Sequence, residues 1–69
     1  MSAIKSDPAI LGGVPCFSGT RVPVASLFDY LSRGYTVGYF LAQFPTVTRE
    51  HVDAVLELAK REVPRRAAG

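Results

Sequence analysis

Gly13-Val14-Pro15-Cys16-Phe17-Ser18-Gly19-Thr20-Arg21-Val22-Pro23-Val24 is the stretch whose reading decides the fold. Two short apolar runs, Val14 to Phe17 and Val22 to Val24, flank Ser18-Gly19, a dipeptide whose glycine reaches the positive φ of a tight turn. The pattern predicts a β-hairpin. Pro15 and Pro23 give no N–H to a ladder, so each suits a strand end, and Pro23 also suits the first turn of a following helix. Arg21 is the one charge inside this apolar frame.

Past Pro23 the period changes from strand to helix. Val24, Leu27, Phe28 and Leu31 fall on one helical stripe ahead of Gly34 at a C-terminal cap position, which predicts a first helix over 24–33. Thr36 can cap a second helix with Val37, Phe40, Leu41 and Phe44 as its stripe and Pro45 as its end. Thr48 can cap a third, with Glu50 in the first turn and Val52, Val55, Leu56 and Ala59 as its stripe. Lys60 and Arg61 suit the negative end of that helix, and Pro64 is expected to stop it. Upstream, Ile4-Lys5-Ser6 reads as a short strand, Asp7-Pro8 as a turn, and Gly12-Gly13 as the entry to the hairpin. The expected fold class is mainly α: a small three-helix, helix-turn-helix-like domain with an N-terminal β-hairpin over residues 1–61, followed by a basic C-terminal tail at 62–69.

Sixty-nine residues make one domain, and 48% hydrophobic composition is enough to fold it. A chain this short buries a smaller fraction of its surface than a larger domain, so a homodimer or another protein partner is expected. The single Cys16 excludes an intrachain disulfide, no metal-ligand cluster or cofactor motif is present, and no apolar run approaches the ~20 residues of a membrane span. A cytoplasmic location with no membrane partner follows as the expectation. The formal charge of +2 is unevenly spread. Residues 60–69 hold Lys60, Arg61, Arg65 and Arg66 against Glu62, whereas the preceding 59 residues carry one more acid than base. Nucleic-acid affinity comes largely from phosphate neutralisation, so the body alone is a poor electrostatic match for DNA.

The run from Gly13 through Gly19-Thr20-Arg21-Val22-Pro23-Val24, the amphipathic helix ending at Gly34, and Phe44-Pro45-Thr46-Val47-Thr48 together resemble the small bacterial domain-of-unknown-function family four hundred thirty-three, often described as VapB-like antitoxins. The resemblance covers roughly residues 4 to 60. It implies an antitoxin partnered with a PIN-like ribonuclease toxin, whose carboxylate cluster holds divalent metal, and a helix-turn-helix that binds the operator of its own operon. A stand-alone DNA-binding regulator and a protein-protein adaptor or dimerisation module are the alternatives.

The residues divide among these readings. For nucleic-acid binding the candidates are Thr20 and Arg21 at the hairpin tip and Thr48 and Arg49 at the start of the third helix, although Glu50, Asp53 and Glu57 make that helix's outward face mostly acidic. Two roles are open for Arg21: tying the hairpin to helix-end carbonyls or Asp29, or contacting a phosphate or an acidic partner. For toxin binding the candidates are Arg61, Arg65 and Arg66, because an arginine entering a metal-binding carboxylate cluster displaces the cation and pairs bidentately with the acids. Tyr35 and Tyr39, the latter beside Gly38 and off the apolar stripe, are the candidates for a dimer or partner interface. Cys16 reads as a small core residue and His51 as a surface or capping residue, so no catalytic residue is assigned and the chain is expected not to be an enzyme.

Overall fold

The computed structural model describes the backbone of residues 3–68 and side chains over 3–63. Strand β1 (Ile4–Lys5) pairs antiparallel with β2 (Cys16–Phe17), placing Ile4 opposite Phe17 and Lys5 opposite Cys16. The Val22 side closes on the other flank of β2 through Phe17 N–H to the Val22 carbonyl at 3.0 Å, Val24 N–H to the Pro15 carbonyl at 3.0 Å, and an isolated bridge between Cys16 and Pro23. The expected hairpin therefore forms, but its ladder is made with the N-terminal strand. Pro23 has no N–H to extend pairing, and Val24 already belongs to a helix.

Between the two strands the chain reverses through Leu11, Gly12 and Gly13, all at positive φ (51°, 67° and 92°). The hairpin turn has Gly19 at φ 76°, with Thr20 N–H donating to the Phe17 carbonyl at 3.0 Å.

Helix α1 (Val24–Ser32), α2 (Val37–Gln43) and α3 (Arg49–Ala68) follow. The core is Phe17 from β2, Leu27 from α1, Phe40 from α2, Val47 from the α2–α3 link, and Val52 and Val55 from α3. Each helix gives the face its apolar stripe predicts, with one departure. Phe28 is 38% exposed. It sits about 100° round the helix from the buried Leu27 and falls at the margin of the stripe.

A second departure concerns the C-terminal boundary. Pro64 does not end α3, which continues to Ala68, so the backbone of the expected tail is the last part of the helix. The proline withdraws one N–H, whose acceptor would be the Lys60 carbonyl, and at the exposed Lys60 water can satisfy that group. At 20 residues α3 is roughly 30 Å long, yet its buried contacts to the core are Val52 and Val55.

Candidate functional site

The junction of α1 and α2 is built by two caps. Arg33 ends α1, Gly34 follows at φ 89°, and Gly34 N–H donates to the Leu31 carbonyl while Tyr35 N–H donates to the Tyr30 carbonyl, both at 3.0 Å. This is a Schellman motif. It carries the customary apolar contact in aromatic form, because the Tyr30 and Tyr35 rings lie 5.4 Å apart. Thr36 then caps α2, its hydroxyl accepting from Tyr39 N–H at 3.0 Å. The two caps bring Tyr35 and Tyr39 face to face, with ring centroids 4.8 Å apart and planes 14° from parallel.

Behind this stacked pair the rings run inward. Tyr30 is 6.1 Å from Tyr39 and packs edge-on against Phe40 and Phe44 at 5.4 and 5.6 Å, and Phe40 in turn meets Phe17 at 6.0 Å. The tyrosine surface is thus backed by the core. Tyr35 and Tyr39 are nevertheless 47% and 45% exposed, and with Tyr30 they line a shallow groove of about 320 Å³ flanked by Asp29 and Arg33. Their expected place at the surface is where the structure puts them. The sequence reading missed the two charges beside them, although Asp29 in α1 and Arg33 at its C-cap stand about one helical turn apart and could have been placed by that spacing.

The hairpin tip borders a second, larger groove of about 570 Å³, whose walls include Lys5, Asp7, Ile10, Cys16, Arg21 and Thr46. Thr20 is committed to the turn: its hydroxyl donates to the Phe17 carbonyl at 2.8 Å and accepts from Val22 N–H at 3.1 Å. Arg21 is exposed, and its guanidinium has no hydrogen-bond or ion-pair partner among the described residues. The tie to Asp29 is not formed, and Asp29 lines the other groove. Asp7 accepts from Ala9 N–H at 2.9 Å, and the buried Cys16 thiol donates to the Val14 carbonyl at 3.3 Å.

At the start of α3, the Thr48 hydroxyl accepts from His51 N–H at 3.1 Å, and Thr48 N–H donates back to His51 Nδ1 at 3.4 Å. Arg49 is exposed there, as are Glu50, Asp53 and Glu57. Arg61 is exposed further along α3, beyond Leu58 at 44% and short of Val63 at 63% exposure. The side chains of Arg65 and Arg66 lie outside the described residues. The structure therefore brings Thr20 and Arg21 together at one groove and Tyr35 and Tyr39 at another, with Arg61 on α3 beyond Val55. Among the described residues no group of three His, Cys, Asp or Glu side chains converges, and no helix is long and apolar enough to cross a membrane.

A solved protein shares this architecture. A crystal structure of a DUF433 member protein from Anabaena variabilis ATCC 29413 superposes with a TM-score of 0.75 at 26% identity, covering 100% of this chain and 71% of that one. The uncharacterized protein y4eO of Sinorhizobium fredii (strain NBRC 101917 / NGR234) is 37% identical over 49 residues, which is 71% of this chain but 22% of the length of that protein. A family model described as "Protein of unknown function (DUF433)" matches residues 4–59, from β1 through the buried part of α3, and the chain belongs to that family.

Proposed function

We propose that the chain is the antitoxin of a type II toxin-antitoxin pair, binding a PIN-like ribonuclease toxin and inhibiting it with the distal half of α3. The observation that carries this reading is the way α3 outruns its own core. After Val55 the helix presents Leu58 and Val63 to solvent, with Arg61 between them and Arg65 and Arg66 following in sequence. Val63 falls on the same stripe as Val52, Leu56 and Ala59, and an apolar helix face that runs on past its own core docks into a groove of another protein. The arginines then reach the carboxylates that hold the nuclease's metal and pair with them in its place.

Base reading by α3 is favoured less. The exposed Glu50, Asp53 and Glu57 surround Arg49 at the end of the helix that would enter a groove, and a DNA backbone repels them.

The test is co-purification with the product of the adjacent reading frame, followed by a ribonuclease assay with and without this chain. The expected result is a stable, inactive complex that regains activity when residues 62–69 are deleted and Arg61 is replaced by alanine. Failure of the two proteins to associate overturns the proposal.

A further inference from the structure

The tyrosine surface is ordered, half-exposed and backed by the core. Tyr35 and Tyr39 are fixed by backbone caps and by stacking on each other, so their large apolar faces are ordered before any partner arrives. Pre-ordered, half-exposed tyrosines of this kind are the anchors on which protein contacts concentrate.

The charges beside them suit a second copy of the chain. Asp29 in the last turn of α1 and Arg33 at its C-cap are four residues apart, line the same groove, and form no ion pair with each other. One turn of helix separates them by roughly 6 Å along the axis. A surface that carries one acid and one base at that spacing is its own complement under a two-fold axis: with the two α1 helices antiparallel, each Asp29 faces the other copy's Arg33. A different protein would have to supply the reversed pair at the same spacing. The small core of one copy gives the association a further advantage, since a domain of this length gains disproportionately from covering apolar surface.

We propose that the chain forms an isologous dimer through Tyr30, Tyr35 and Tyr39, registered by two reciprocal Asp29–Arg33 contacts across the two-fold axis. This contact uses residues of α1, α2 and the link between them, none of them from α3, and does not depend on the antitoxin reading.

The experiment is sedimentation equilibrium of the full chain and of three charge variants, with far-UV circular dichroism confirming unchanged helix content. The wild type is expected to have twice the mass of one chain. Asp29→Arg places two bases at each half of the contact and Arg33→Asp two acids, so each variant alone is expected to weaken association by at least about tenfold. Mixed in equal amounts, the two form a one-to-one heterodimer, because every cross-contact is then oppositely charged. The double variant D29R/R33D restores the homodimer. Tyr39→Ala, which keeps the charges and removes the anchor, is expected to weaken association by a similar factor. A wild type that remains a single chain overturns the proposal. So do single-charge variants that dimerise as well as the wild type, or a mixture of the two that fails to associate.

Discussion

Thr48 and His51 cap α3 reciprocally: the Thr48 hydroxyl takes the His51 N–H at 3.1 Å, and His51 Nδ1 takes the Thr48 N–H at 3.4 Å. This is a capping box in which an imidazole stands where glutamate or glutamine is usual. Only an unprotonated Nδ1 can accept that bond. Thr48→Ala is expected to cost about 1 kcal/mol, which lowers the melting temperature of a domain this size by roughly 4–8 °C. His51→Gln is expected to cost less than Thr48→Ala, because the amide oxygen can accept in place of Nδ1, and thermal melts of the two variants rank them.

Two glycines four residues apart should respond in opposite directions. Gly34 sits at φ 89° in the Schellman motif, so Gly34→Ala is expected to destabilise by about 1–2 kcal/mol although no atom lies within 4 Å of the added methyl. Gly38 lies inside α2, and its added Cβ would meet Thr36 Oγ1 at an ordinary 3.8 Å. Gly38→Ala should therefore stabilise by roughly 0.5–1 kcal/mol. Chemical denaturation with a common slope measures both.

Phe40 is fully buried and touches the rings of Phe17, Tyr30 and Phe44. Phe40→Ala is expected to cost about 3–5 kcal/mol, a large share of the stability of any small domain. Loss of the cooperative thermal transition at moderate temperature is the outcome to look for, with Phe40→Leu retaining it.

Arg21→Ala should leave the melting temperature within about 2 °C of wild type, because an exposed guanidinium without a partner contributes little to folding. A clear loss of stability would show that Arg21 holds the hairpin after all. The same variant, folded, then serves as the probe for any ligand of the groove it borders.

The helices were legible because their signals are local. The stripes ending at Leu31, Phe44 and Ala59, the hydroxyls of Thr36 and Thr48, and Gly34 each act within one or two turns of the residues they organise. The choice of Ile4–Lys5 as the partner of Cys16–Phe17 was hidden because it depends on a left-handed reversal over residues 11–13, at one of which a leucine takes φ 51°. Pro64 misled for a related reason: a proline predicts a break only where the lost bond has no substitute, and exposure supplies one at Lys60. At the candidate surfaces, Tyr35 and Tyr39 could be placed from their spacing. Their stacking, and the presence of Asp29 and Arg33 in one groove with them, needed the angle between α1 and α2.

Cys16, at 3% exposure, is held between β1 and the closing Val22 side of the hairpin, with its sulfur turned to the Val14 carbonyl. A thiol in that position is nearly shut off from reagents until the N-terminal strand lifts away. Its rate of alkylation is accordingly a stopwatch for the breathing of this one corner of the molecule, separate from the global unfolding that a melt records. With a single cysteine in the sequence, the readout has no competing signal.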